Sequence, residues 1–304
     1  MAQKLPSGKY RTRATYTDAE GKRVTRSFTR DTAKAADYAA LEFKLSNKRT
    51  AAPAAMLTGE AVERFIEAND AVLSPSTIVG YKRIVKNYLD GIRSVPLSRL
   101  DNNALQGWIN QLARKHSPKT VANAYGLVRA ALRTYAPDYV PRVNLPRKVV
   151  RDIQIPQREE IELLLQLTEG TALHLPILLG AHCGLRRSEM SALTWQDIDL
   201  KNRKIKVRRA MVRGEYGWTV KQPKTAAGTR TVDMSTAVHD CLAAADRTKP
   251  PVTLNPSSIS NDFGDLCRAH DLPYNQHLLR HYYASVLASR GIPIKYAQML
   301  MGHS

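Results

Sequence analysis

Apolar and polar side chains alternate from the first residues of the chain. In GKYRTRATYTDAEGKRVTRSFTR, Tyr10, Thr12, Ala14 and Tyr16 fall opposite Arg11, Arg13 and Thr15, the period-two pattern of a strand. Asp18-Ala19-Glu20-Gly21 supplies a turn, and Arg23 to Thr29 reads as the returning strand. A helix follows in DTAKAADYAALEFKL, with Asp31 as its N-cap. RTAAPAAM, residues 49–56, has little to bury and reads as a linker. Four helical patterns come next. Thr58 signals the first, Ser74-Pro75 the second, Asp101 the third and Ser117-Pro118 the fourth, each proline taking the favoured first helical position. Ile78, Tyr81, Ile84 and Tyr88 make one stripe of the second helix, and Val121, Leu127, Ala130 and Leu132 are core candidates in the fourth.

Prolines 137, 141, 146 and 156 suit residues 136–156 to an extended linker. From Gln157 the pattern becomes denser. QREEIELLLQL and TALHLPILLGAHCG read as helices, with Pro176 leaving the second one's boundary open. RKIKVRRAMVRGEYGWTVKQPKTAAGTRTVDM reads as strands with glycine-containing turns, and helices resume from Ser235. The fold class is a multidomain α+β chain. It has a small N-terminal β-sheet with one helix, a helical middle domain, and a mainly helical C-terminal domain with a small antiparallel sheet.

Charge narrows the function. The formal net charge of +19 costs self-repulsion unless a polyanion relieves it, and nucleic acid is the usual one. Residues 1–50 hold twelve Lys/Arg against five Asp/Glu. A sheet face carrying Arg11, Arg13, Arg23 and Thr25 suits a DNA groove, since two-stranded ribbons fit the major groove; the same face also suits a solvated edge that discourages aggregation. Lys82, Arg83 and Lys86 on the second helix, and Lys119 on the fourth, are candidate phosphate contacts. No apolar run approaches the roughly 18 residues of a membrane span, and the N-terminus lacks the apolar core of a secretory signal. Cys183, Cys241 and Cys267 show no CxxC spacing, which points to reduced thiols and a cytosolic protein. There is no HExxH, no EF-hand loop, no paired-metal acidic cluster and no P-loop, so neither a metal nor another cofactor is expected.

Candidate chemistry is cationic. GLRRSEM sets Arg186 after a glycine break; PKT places Lys224 before a turn; HLLRH puts His277, Arg280 and His281 on one helical face; and His303 follows Gly302. Two guanidinium forks can clamp the non-bridging oxygens of a phosphodiester, while lysine and histidine can manage protons.

The ordered set resembles the tyrosine recombinases, the phage-integrase family. GLRRSEM…LTWQDIDL is similar to the family's first arginine motif (Arg186, with Glu189 nearby), and QPKT with GTRTVDM to its hairpin lysine motif (Lys224). HLLRHYYAS is similar to the His-x-x-Arg motif (His277, Arg280), and MLMGHS to the Gly-His motif (His303). Residues 1–48 resemble the arm-type DNA-binding domain, 57–135 the core-binding helical domain and 157–304 the catalytic domain. The resemblance implies a clamp around double-stranded DNA at core and arm-type sites, and a tetrameric homo-oligomer on DNA in a bacterial nucleoid, with DNA-bending accessory proteins as further partners. It also implies strand cleavage and rejoining through a 3′-phosphotyrosyl bond for a phage or mobile element. Arg186 and Arg280 would hold the phosphate, Lys224 would protonate the leaving oxygen, and His277 and His303 would assist. Glu189 and His281 would support the architecture, and Tyr282, Tyr283 and Tyr296 would pack. The family's nucleophile lies beyond the Gly-His motif, so these 304 residues are expected to bind DNA without cleaving it. The alternatives are a non-catalytic regulator occupying recombination sites and a topoisomerase-like relaxing enzyme.

Overall fold

The computed structural model describes residues 2–17, 23–46, 56–148, 152, 154–222 and 229–302. Contacts divide the chain into two compact units, Met1–Val149 and Val150–Ser304.

The first unit begins with strands β1 (Gln3–Lys4), β2 (Tyr10–Thr17) and β3 (Arg23–Arg30), an antiparallel sheet in that order. Register pairs Arg11 with Thr29, Arg13 with Ser27 and Thr15 with Thr25, so Arg11, Arg13 and Thr25 share a face; the side chain of Arg23 is outside what is described. Thr12 and Ala14, on the other face, are buried under helix α1 (Ala33–Ser46), where Ala36 and Ala40 are also buried. Thr12 Oγ1 donates to Asp37 at 2.6 Å, satisfying the one polar side chain of that seam. Asp31 does not cap α1. It pairs with Lys9 at 3.3 Å, while Thr32 Oγ1, the acceptor three residues before the first free amide, takes the Ala35 N–H at 3.2 Å. The turn at 18–21 and most of the 49–56 linker lie outside the described residues.

Helices α2 (Thr58–Ala68), α3 (Pro75–Tyr88), α4 (Asn102–Lys115) and α5 (Pro118–Tyr135) follow. Ser74, Asp101 and Ser117 each accept the amide three residues on, at 3.4, 2.7 and 3.3 Å, and Pro75 and Pro118 sit in the first turn, where a missing N–H costs nothing. Thr58 is not a cap: Leu57 holds that position, and Thr58 is buried, donating its hydroxyl to the Val95 carbonyl at 2.8 Å. Val62, Ile66, Leu89, Ile92, Leu105, Ile109, Leu127 and Leu132 form the core, and the Trp108 indole donates to Tyr88 O at 2.7 Å. Ala130 is only partly buried, because the buried phase of α5 runs through Val121, Ala124, Val128 and Ala131. The expected linker is bound along α4 in its first part. Asn102 Oδ1 accepts from Tyr139 Oη (3.0 Å) and Arg142 N (2.9 Å), and Gln106 Oε1 from Asn144 N (2.8 Å).

The second unit contains helices α6 (Arg158–Leu167), α7 (His174–Cys183) and α8 (Arg187–Met190), then strands β4 (Ile198–Asp199), β5 (Lys204–Val207), β6 (Ala210–Gly214), β7 (Gly217–Lys221) and β8 (Arg230–Asp233). Helices α9 (Thr236–Ala243), α10 (Pro256–Ala269), α11 (His277–Ser289) and α12 (Ile294–Met301) complete it. β4, β5 and β8 make one antiparallel sheet, and β6–β7 is a separate hairpin inserted between β5 and β8. α7 is apolar on nearly every side, as a helix buried all round must be. Pro176 lies in its first turn and does not interrupt it. At Gly180 an added Cβ would stand 3.0 Å from Leu279, so α11 approaches α7 closely there. No described helix is long and apolar enough to cross a membrane.

Asp101 supplies the best-formed of these caps. Asp101→Ala is expected to cost about 1 kcal/mol of stability, read from a lower urea midpoint at unchanged slope.

Candidate active site

α7 ends where Gly184 adopts a left-handed conformation (φ 64°) that turns the chain back. A side chain there would also collide with the Tyr283 ring, 2.4 Å from a built Cβ. The turn delivers Arg186 in an extended conformation just ahead of α8, and Glu189 follows one helical turn later. Glu189 is buried, yet its carboxylate is fully engaged. Oε1 accepts from Arg186 Nη1 (2.8 Å) and Arg230 Nη1 (3.1 Å); Oε2 accepts from the Arg186 amide (2.8 Å) and Arg230 Nη2 (2.8 Å). Burial alone would raise its pKa, but the hydrogen bonds and charge of Arg230, joined by Arg186, outweigh that and hold it below the usual carboxylate value.

The last turn of α12 faces the same group. Gly302, left-handed at φ 63°, closes the helix, leaving its final carbonyls without helical partners. Three arginines take three consecutive ones: Arg230 Nε donates to Leu300 O (2.8 Å), Arg280 Nη2 to Met301 O, and Arg186 Nη2 to Gly302 O (3.2 Å). Arg280 also donates from Nη1 to Gly184 O and is only 2% exposed. Its burial, and next the charge of Arg186, lower its pKa to about 10. Arg186 keeps 35% of its side chain exposed, so it forms the open side of the group.

His277, at the start of α11, lies on the exposed rim with its ring edge-on to His281 (centroids 5.0 Å apart). Partial desolvation, then the charges of His281, Arg280, Arg186 and Arg187, lower its pKa, which favours neutral imidazole. The structure thus brings Arg186, Arg280 and His277 together; Lys224 and His303 lie outside the described residues. Tyr282 packs partly into the core and Tyr283 lies on Gly184, whereas Tyr296, expected to pack, is 51% exposed because α12 buries Met301 and turns its Ile294–Tyr296–Met299 side outward.

The candidate DNA contacts are elsewhere. Lys82, Arg83 and Lys86 are exposed on α3, and Lys119 is exposed at the start of α5. Between these two helices lies a groove of about 480 Å³ lined by Thr77, Gly80, Arg83, Thr120, Asn123 and Gly126. Arg13 is exposed and Arg11 partly buried on the outer sheet face.

Two features escaped the sequence reading. Arg230 takes an inward position of β8, alternating with Val232, and an arginine in a core register is the signal that was available. Asp197, also buried, accepts from the Thr194 amide (3.0 Å), Arg208 Nε (2.6 Å) and Arg209 Nη2, tying the root of the β6–β7 hairpin to the turn after α8.

Residues 157–304 match the model of the phage integrase family. A XerC-like tyrosine recombinase of Caldanaerobacter subterraneus subsp. tengcongensis is 24% identical over 279 residues, 76% of this chain and 71% of its own. A putative prophage phiRv2 integrase of Mycobacterium tuberculosis is 26% identical over 272 residues, 81% of this chain and 71% of its own. In fold, the chain is similar to the Tn1549 transposon integrase in complex with circular intermediate DNA (TM-score 0.72, 22% identity, 82% and 92% covered). It is also similar to a lambda integrase tetramer bound to a Holliday junction (TM-score 0.61, 16% identity, 100% and 95% covered). Residues 157–304 therefore form a phage-integrase-family domain, and the curated relatives named above are a tyrosine recombinase and an integrase.

Because the folded-state pKa of Glu189 lies below its unfolded value of about 4.3, its stabilisation is complete above that value and disappears as pH falls through the lowered one. Glu189→Gln should lose about 3 kcal/mol at pH 7, the cost of breaking a buried pair, and urea unfolding should show the gap to wild type closing below pH ~4.

Proposed function

We propose that Arg186 and Arg280 bind the scissile phosphate of duplex DNA in a site-specific recombination reaction. The observation that supports this is their convergence: guanidiniums from the start of α8 and from α11 reach the adjacent carbonyls of Gly302 and Met301, so the two forks share one small region. Guanidinium suits the non-bridging oxygens because its charge is permanent and its donors are coplanar. A tyrosine hydroxyl attacks the phosphorus and loses its proton. The bond to the 5′ oxygen breaks, Lys224 protonates that oxygen, and a 3′-phosphotyrosyl link remains. Its energy is retained for rejoining to another 5′ hydroxyl. His277, held neutral, and His303 exchange protons with, or hydrogen-bond, the phosphate.

The partner is double-stranded DNA. Core-type sites meet the basic faces of α3 and α5 through Lys82, Arg83, Lys86 and Lys119, and arm-type sites meet the sheet face of Arg11, Arg13 and Arg23. A tetramer assembled on DNA, in a bacterial cytoplasm, serves integration or excision of a phage or other mobile element, with DNA-bending proteins as accessories. Residues 1–48, 57–135 and 157–304 act as arm, core-binding and catalytic domains. The attacking hydroxyl is none of Tyr282, Tyr283 or Tyr296. The first two are taken up in packing, and none of the three is hydrogen-bonded to the arginine group.

The protein should retard duplex DNA in a gel, and any adduct trapped on a nicked suicide duplex should map to none of Tyr282, Tyr283 and Tyr296. Arg186→Ala should weaken binding about tenfold and lower the salt slope by about one contact. An adduct mapped to any of these three tyrosines would overturn their exclusion, and unchanged affinity and slope would overturn the phosphate clamp.

A further inference from the structure

Arg230, with a 5% exposed side chain, is the more enclosed of the two arginines paired with Glu189, and the reaction as described gives it no task. Three of its donor atoms are spoken for within the protein. Nη1 and Nη2 bridge the two oxygens of Glu189, and Nε holds Leu300 O. Each Glu189 oxygen therefore accepts one hydrogen bond from Arg230 and one from Arg186, through its guanidinium or its amide. The arrangement is tight on the side of α12 as well: a Cβ on Gly302 would come within 3.0 Å of Arg230 Nη1. Arg230 opens β8 opposite Val207 of β5, a member of the hydrophobic core.

We propose that Arg230 is a positioning residue for strand transfer: enclosed and away from the DNA, it sets the direction of Arg186 through Glu189 and fixes the end of α12 through Leu300. This rests on the reading of Arg186 as a phosphate ligand. The argument is geometric. With Arg230 present, the Glu189 carboxylate is divided between two cations, and Arg186 keeps only one guanidinium bond to it. Without Arg230, both oxygens are open to Arg186, and a full bidentate pair draws that fork inward, away from its exposed side. The same loss frees the Leu300 carbonyl and so loosens the turn whose next two carbonyls hold Arg280 and Arg186. Lysine cannot substitute, because one ammonium cannot bridge a carboxylate and reach a carbonyl behind it in the same plane.

Hydrogen exchange on the DNA-free protein, wild type against Arg230→Lys and Arg230→Gln, tests the tether. Exchange of residues 294–302 should rise by about tenfold or more in both variants, with α7 and β5 unchanged. No rise, or a rise spread evenly over the second unit, overturns the proposal, since the first denies the hold and the second makes it general stability. A double-mutant cycle on duplex affinity tests the positioning. Arg230→Lys and Arg186→Lys should each weaken binding about tenfold, and the double variant should be within about twofold of either, because both remove the same oriented fork. Losses that multiply overturn the proposal. Arg186→Lys with unaltered affinity overturns the phosphate reading instead, and the exchange pattern then decides the hold of Arg230 by itself.

Discussion

One buried carboxylate makes the arginine group possible. Arg186, Arg230 and Arg280 repel one another, and taking any of them out of water costs several kcal/mol unless its donors are met. Glu189 supplies a single negative charge with two oxygens, both used twice. That leaves an excess of positive charge, which adds to the effect of burial in lowering the pKa of Arg280. The remaining donors are met by neutral carbonyl oxygens, which satisfy hydrogen bonds without cancelling charge. A pocket built this way is structurally satisfied and electrostatically hungry. It suits an anion arriving at its exposed side, where Arg186 stands.

The parts of the fold governed by neighbours in sequence were legible. Ser-Pro pairs and Asp101 mark helix starts because a cap needs only an acceptor three residues before an amide. Alternation in β2 and β3 predicted the shared face of Arg11, Arg13 and Thr25, because a strand's period is geometric. Small errors came from competition for a cap position or for one hydroxyl. Thr32 displaced Asp31 as a cap, and Thr58 spent its hydroxyl on Val95, thirty-seven residues away. The central miss has the same cause on a longer scale. Arg230 meets Glu189 across 41 residues and Leu300 across 70, and an arginine at an inward strand position does not announce which acid or carbonyl receives it. His277 and Arg280 were visible because both lie on one helix, at a spacing that places them on one face.

The basic surfaces of the first unit work on a different principle from the arginine pocket. Lys82, Arg83, Lys86 and Lys119 stand exposed. Such residues attract a phosphate backbone over a screening length and set a protein's register on it, but they carry little base information. Around them α3 and α5 leave Gly80 and Gly126 facing open space, so a backbone or base edge can approach that groove closely. On the sheet, threonines and serines separate the arginines, giving short hydroxyl donors between long cations.

The pocket and helix α12 also depend on each other. A helix ends with carbonyls that have no amide partner, and here three of them, at Leu300, Met301 and Gly302, point at guanidiniums from β8, α11 and the start of α8. The arginines act as the cap of α12, favoured further by the negative end of its dipole, and α12 provides the neutral acceptors that let three cations share a small space. Gly302 completes the logic: its left-handed backbone turns its own carbonyl toward Arg186, and its missing side chain leaves room for Arg230. The direction in which Arg186 and Arg280 present their forks is therefore decided by where the last turn of α12 docks, a contact far along the chain from either arginine motif.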